Sequence, residues 1–103
     1  MTHQQLTLTQ LKQRAQSGGS GDVDYLMQHL DTNQSFAGLK LLDFALGLVS
    51  SPEGVKRIEH FLFNGSTTQR NYAALYFKRR GSDRIIDEAV RQGCVDSIQA
   101  YAR

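Results

Sequence analysis

The apolar positions of this chain recur at helical spacing. Val23, Leu26 and Leu30 follow an i, i+3, i+7 pattern, and the same pattern returns 32 residues later, starting at Val55. An apolar stripe with this spacing predicts an amphipathic helix. A repeat of this length is typical of stacked helix pairs. Since no stretch alternates apolar and polar residues as a strand does, we expect an all-α fold.

Turn and cap residues divide the sequence into about seven helices within a single domain, 1–103. Its first part, 1–21, combines a short helix with a linker at Ser17–Gly21, where three glycines and two serines favour irregular backbone. Asp22 is expected to cap the helix that follows. Three helix pairs are predicted after the linker, at 22–50, 51–81 and 82–103.

Two local patterns lead to further structural predictions. The segment Phe36–Val49 is apolar on nearly every helical face, so we expect its helix to be sandwiched between neighbours on both sides. Asn64 and Gly65 predict a left-handed stop for the fourth helix, and Gly81 and Gly93 predict ends for the next two.

Composition is ordinary for a folded protein, with 40% hydrophobic and 21% charged residues. The net charge of +2 is uneven, because residues 1–52 carry three basic and four acidic side chains and residues 53–103 carry nine and six. This excess of basic residues in the second half is compatible with a weakly basic surface that faces a polyanion, although dedicated nucleic-acid domains carry a larger excess.

Neither a membrane segment nor a signal peptide is expected. The apolar stretch Leu39–Val49 is far shorter than the roughly 20 residues that a membrane-spanning helix needs. The first residues contain no positively charged segment leading into an apolar run. A single cysteine, Cys94, agrees with a reducing compartment. We therefore expect a cytoplasmic protein.

The C-terminal half contains an ordered set of basic, small, apolar and turn residues. The set consists of Arg70, Ala73, Ala74, Phe77 and Gly81, followed by an amphipathic helix between Ser82 and Gly93. In this order, residues 66–103 resemble the short HEAT-like repeat of the phycobilisome-lyase type, and 22–65 follow it by spacing. Gln69 departs from the family pattern, which usually has an aliphatic residue there, and Asp96 stands in place of an arginine.

The resemblance implies a right-handed α-α superhelix of about three HEAT-like helix pairs. In such folds the second helix of each pair builds a concave face that holds another macromolecule. We therefore expect a non-catalytic protein–protein interaction or scaffolding module that receives a protein or peptide between helices three, five and seven. The residues predicted to contact this partner are Arg70, Tyr72, Tyr76 and Arg79. Ile98 and Tyr101 on the last helix also suggest a homodimer.

Nucleic-acid binding is the alternative prediction. Its basic patch comprises Lys78, Arg79, Arg80 and Arg84, which would contact phosphates of the nucleic-acid backbone. The same cations also have a structural interpretation, because basic side chains in the last turn of a helix oppose the negative end of its dipole. Arg70 likewise has a structural alternative, in which it bridges acidic groups or carbonyls between repeats.

No catalytic or metal-binding motif is visible, so we expect no enzyme activity, no cofactor and no metal site. Cys94 follows Gly93 at the predicted start of the last helix, where helix-end amides favour a thiolate. His60 is the histidine of the same half, but nothing in the sequence pairs it with Cys94. His29 and His60 lack the spacing of metal ligands. A structural thiol is the simpler interpretation of Cys94.

Overall fold

The secondary structure of the described chain is entirely helical. The computed structural model describes residues 7–32 and 35–101, and within these ranges it contains seven helices and no strand. Their bounds are α1 (Leu8–Ser17), α2 (Ser20–Thr32), α3 (Phe36–Gly47), α4 (Pro52–Asn64), α5 (Thr67–Arg79), α6 (Asp83–Arg91) and α7 (Ser97–Tyr101). The all-α class and the number of helices are thereby confirmed. The right-handed superhelix stays a prediction.

The chain divides into two compact units, with the boundary between Val55 and Lys56 inside α4. In the first unit, α1, α2 and α3 all contact one another. In the second unit, α5, α6 and α7 do the same. Each unit thus contains a cluster of three helices, and the organisation of 1–103 as one domain of repeats stays a prediction.

The first unit has a dense apolar core. Its buried apolar side chains are Leu11, Ala15, Val23, Leu26, Met27, Leu30, Leu42, Ala45, Leu46 and Val49. Because Leu11 and Ala15 of α1 are 0% and 1% exposed, the first helix belongs to this core. Complete burial of a large aliphatic side chain contributes about 1.5–3 kcal/mol, so Leu11 anchors α1 in the core of the first unit.

The segment Ser17–Gly21 is not the linker that its composition predicted. α1 includes Ser17 and α2 begins at Ser20, so only two residues separate the helices. Gly18 has a left-handed φ of 64°, and its N–H donates to the Arg14 carbonyl at 3.0 Å. Glycine adopts this conformation without the steric cost that a Cβ imposes, which allows the chain to turn within two residues.

Hydrogen bonds hold the start of α2 in place. The Gly19 N–H donates to Asp22 Oδ2 at 3.1 Å and the Ser20 N–H donates to Glu53 Oε2 at 2.9 Å. Ser51 Oγ donates to the Gly18 carbonyl at 2.6 Å. Asp22 therefore lies in the first turn of α2 rather than at the predicted N-cap position. Carboxylates of two elements satisfy backbone amides that a helix start leaves without partners.

A capping box begins α5 in the second unit. Ser66 Oγ accepts the Gln69 N–H at 3.2 Å, and Gln69 Oε1 accepts the Ser66 N–H at 2.9 Å. This reciprocal pair stabilises the helix start because both amides would otherwise lack a partner. Gln69, which departs from the HEAT-like pattern, thus has a structural role in this chain.

Gly65 does not supply the left-handed stop that was predicted for α4. Among the described glycines, φ is positive at Gly18, Gly81 and Gly93, so two of the three predicted stops do have this conformation. At Gly65 a Cβ would lie 2.8 Å from both the Phe61 carbonyl oxygen and Gln69 Cβ. Glycine is needed there for close approach, and not for a left-handed turn.

The second unit has its own apolar core, which contains more small and aromatic residues. Its buried apolar side chains are Ile58, Leu62, Ala73, Ala74, Tyr76, Phe77, Ile86, Ala89, Val95 and Ala100. Ala73 and Ala74 let a neighbouring helix approach α5 closely. Across 7–32 and 35–101, the helices are too short or too polar to cross a membrane.

Candidate functional site

α3 has one buried face and one exposed apolar face. Successive helical residues are about 100° apart, and Leu42, Ala45 and Leu46 share the arc that is buried in the first unit. The opposite arc, about 80° wide, carries a stripe that we call the α3 outer face. It consists of Phe36, Lys40, Phe44 and Gly47, all of them exposed. Two neighbours, α1 and α2, do contact α3, but they leave this arc of an almost wholly apolar helix exposed.

The two phenylalanines of the α3 outer face are unusually exposed. Phe36 is 75% and Phe44 is 53% exposed, and they lie about two helical turns apart. Within the first unit, α1 and α2 contact α3, and their contacts bury the opposite arc. Exposed aromatic side chains grouped on one surface are typical of binding sites, because single exposed apolar residues are common and grouped ones are not.

The sequence before α3 fixes where this face begins. Ser35 has an extended backbone with φ of −87°, and its Oγ accepts the Gly38 N–H at 3.1 Å. This N-cap starts the helix at Phe36, because the cap residue itself has non-helical geometry. Phe36 is thereby placed on the first helical turn, in line with Lys40 and Phe44.

Charge on the α3 outer face is sparse and nearly balanced. Lys40 Nζ lies 5.2 Å from the centroid of the Phe36 ring, a cation–π distance. Asp43 is half-buried at the edge of the same arc. Together with Asp43 at its edge, the face therefore combines two aromatic rings with one cation and one anion, which suits an apolar partner better than a highly charged one.

The structure does not bring the four predicted partner-binding residues of α5 onto one face. Tyr72 and Arg79 are seven positions apart and share a face, whereas Arg70 lies on roughly the opposite side. Tyr76 is only 2% exposed and belongs to the core of the second unit. Of these four residues, Arg79 is the exposed one. Their roles in binding remain predictions that this geometry does not favour.

Arg70 is engaged with the turn that precedes α5. Its Nη1 donates to the Gly65 carbonyl at 2.9 Å, and its Nη2 donates to Thr67 Oγ1 at 3.4 Å. Arg70 Nε is buried without a hydrogen-bond partner among the described residues. These contacts tie α5 to the preceding turn. The sequence left open whether Arg70 bridges acidic groups or carbonyls between repeats. It contacts a carbonyl, that of Gly65, within the second unit.

Tyr76 and Arg80 form an aromatic–cation pair. Arg80 Cζ lies 4.8 Å from the centroid of the Tyr76 ring, and the Phe77 ring packs edge-on against Tyr76 at 5.1 Å. Burial raises the pKa of Tyr76 above its ordinary value of 10.0, and the charge of Arg80 lowers it in part. Both side chains thus have a structural role at the end of α5.

The predicted basic patch does not form one surface. Lys78, Arg79 and Arg80 are consecutive, so their side chains leave the α5 axis about 100° apart. Lys78 and Arg79 occupy the last turn of the helix, where cations oppose the negative end of the dipole. Arg84 lies in α6, on the far side of the Gly81 turn. The four cations are therefore spread over two helices and the turn between them.

A groove of about 510 Å³ lies beside Arg84 in the second unit. Phe77 and Ile85 form its apolar part, and Glu59, Arg84, Glu88 and Arg91 are among its other lining residues. Arg91 Nη1 pairs with Glu88 Oε1 at 2.7 Å. With two acidic and two basic side chains, the groove has no charge excess that would select an anion.

Cys94 lacks the environment of a reactive cysteine that the sequence left open. It lies in the turn after α6, since α7 begins only at Ser97. Its Sγ donates to the Phe63 carbonyl at 3.6 Å, and its N–H donates to the Ala89 carbonyl at 2.8 Å. Cys94 is therefore not at the start of the last helix, where the sequence placed it. In the part of the chain that the structure describes, no group of three His, Cys, Asp or Glu side chains is placed to hold a metal ion.

No protein-family model, no curated protein and no solved structure matches this chain.

Proposed function

We propose that this chain is a non-catalytic protein-interaction module and that the α3 outer face is its binding surface. The observation that carries the proposal is the exposure of Phe36 and Phe44 on one side of a helix whose other side is fully buried. Burying a phenylalanine side chain completely contributes about 1.5–3 kcal/mol, so these two rings supply a substantial part of a binding free energy.

Other features support the same proposal. The predicted HEAT-like character of residues 66–103 points to a protein that holds another macromolecule, and a single cysteine is compatible with a cytoplasmic location. Nucleic-acid binding has weaker support, because the cations of α5 leave the helix in different directions and the groove beside Arg84 also contains Glu59 and Glu88.

A lysate capture with two matched variants tests this proposal. The tagged full chain, the variant F36Q/F44Q and the variant R79E/R84E are added to the lysate at about 100 µM, chemically crosslinked before capture, and compared after nuclease treatment at low and moderate salt. All four positions are exposed, so circular dichroism is expected to show unchanged folding for both variants. We expect the wild type and R79E/R84E to retain a protein partner, and F36Q/F44Q to lose it. A second copy of the chain counts as such a partner.

The opposite pattern would contradict the proposal. Partner recovery that persists in F36Q/F44Q would remove the α3 outer face as the binding surface. Recovered nucleic acid that disappears with nuclease, with salt and in R79E/R84E would establish the basic residues as the functional ones, since phosphate contacts weaken steeply with ionic strength.

A further inference from the structure

We infer that the partner of the α3 outer face is the same face of a second copy of this chain, packed antiparallel about a two-fold axis. The inference rests on the proposed function and names its occupant. In a two-fold interface the same patch is used twice, so each residue must meet a complementary residue of that same patch. The α3 outer face, together with Asp43 at its edge, meets this condition in both charge and shape.

The charges of α3 are complementary under a two-fold rotation. With the axis midway between Leu41 and Leu42, Lys40 of one copy lies opposite Asp43 of the other, and the rotation produces the same pair a second time. Both side chains belong to one helical arc about 60° wide, so both face the same partner. Each copy therefore supplies one cation and one anion, and the interface as a whole is neutral.

The same two-fold axis also places a large residue of one copy opposite a small residue of the other. Phe36 of one copy comes opposite Gly47 of the other, at each end of the helix pair. A Cβ on Gly47 would have nothing within 4 Å, so the space above this glycine is open to a ring. Phe44 then lies about 4.5 Å along the axis from Phe36 of the second copy, within reach of an aromatic contact.

The chemistry of the face favours a second copy over other occupants. A strongly acidic partner would meet Asp43, and a strongly basic one would meet Lys40. Ile98, which was predicted to mediate self-association, is 79% exposed but belongs to a helix of only five residues. It therefore offers less helical surface than α3 does, and the self-association predicted there from Ile98 and Tyr101 is the competing arrangement.

The size of the face predicts a weak dimer. A helix of 12 residues is about 18 Å long. A single helix pair of this length buries much less than the roughly 800 Å² per partner of a standard stable interface. We therefore expect association at concentrations on the order of 100 µM rather than in the nanomolar range.

Sedimentation velocity with charge exchange tests the inference directly. The full chain is measured from 10 µM to about 1 mM as wild type, K40D, D43K and an equimolar mixture of the two variants. K40D makes the arc acidic and D43K makes it basic, so each variant alone brings like charges together. We expect the wild type to dimerise, each variant to need at least about tenfold higher concentration, and the mixture to recover the association.

Two controls distinguish a weakened interface from a misfolded variant and from self-association through Ile98. Lys40 is exposed, so K40D is expected to fold even if D43K is perturbed, and F36Q provides an independent way to weaken the same interface. I98S should leave the dimer unchanged. A wild type that stays monomeric throughout, or a dimer weakened by I98S but not by K40D or F36Q, would overturn the inference. Neither result touches the lysate comparison, in which partner recovery by F36Q/F44Q would refute the proposed function itself.

Discussion

The α3 outer face and the C-terminal end of α5 both combine aromatic rings with cations, and they place them in opposite ways. At the end of α5, the Tyr76 ring is buried and Arg80 covers it from outside. On α3, Phe36 and Phe44 remain exposed although Lys40 lies near one of them. An aromatic side chain that is already packed contributes to folding, whereas one left in water is available to a partner. The comparison therefore indicates a structural role for the α5 end and supports the binding role that we propose for α3.

Truncation of the two faces of α3 should produce the largest difference. Leu46 is 0% exposed, so L46A should lower the free energy of unfolding by about 2–5 kcal/mol through lost contacts and a cavity. F44A, on the outer face, should lower it by only about 1 kcal/mol, because about half of this side chain is already in water. Urea unfolding of both variants measures the contrast. Equal losses would mean that Phe44 is part of the core, and the comparison would fail.

Glycine substitutions sharpen the same contrast with a smaller effect. A Cβ on Gly54 would lie 2.7 Å from the Gly18 carbonyl oxygen, so G54A should cost about 1–3 kcal/mol through overpacking. G47A, on the outer face, meets no atom within 4 Å and should stabilise the monomer by up to about 0.5–1 kcal/mol. Thermal unfolding at low concentration separates the two. A destabilised G47A would show that the outer face is more crowded than its exposure indicates.

At the end of α5, removal of the cation that covers Tyr76 should have a modest effect. R80Q should lower stability by about 0.5–1 kcal/mol, since it removes the cation–π contact at 4.8 Å. R84Q has a similar exposure and no aromatic contact, so it should stay within about 0.5 kcal/mol of the wild type. Denaturant midpoints compare the pair. A loss in R84Q that equals the loss in R80Q would contradict a structural role specific to Arg80.

The pH dependence of Tyr76 should be the smallest effect and confined to alkaline solution. Burial raises the pKa of Tyr76 in the folded state above 10.0, so the unfolded chain loses this proton first. The corresponding stability is fully present below pH 10 and declines as the pH rises through the raised pKa. Y76F should therefore lose stability less steeply than the wild type above pH 10. Parallel unfolding curves for both proteins from pH 9 to 11 would argue against the buried position of this ring.

Local sequence signals predicted much of the helical framework. Gly81 and Gly93 were predicted as helix ends, and both have the left-handed backbone that ends a helix. The Ser-x-x-Gln spacing of Ser66 and Gln69 is also a local signal, because it is typical of the capping box that begins α5.

Positions that depend on distant neighbours were not predictable in this way. Gly18 and Gly19 suggested a flexible linker by composition, but hydrogen bonds from Ser51 and to Glu53 make the connection tight. Tyr76 resembled a surface aromatic beside cations and is buried.

The α3 outer face was hidden for a related reason. A helix that is apolar all round does not reveal which face lacks a neighbour, because that depends on where the other helices pack. Lys40, four residues from both Phe36 and Phe44, was the local signal of an exposed arc.

Site-specific photo-crosslinking tests the binding role of α3 most directly. A photoreactive phenylalanine analogue replaces Phe44 in one variant of the full chain and Arg79 in a second, and both are irradiated in the source cells. The account predicts protein adducts from position 44, with a species of twice the mass of the chain among them, and none from position 79. Adducts from position 79 with none from position 44 would contradict it.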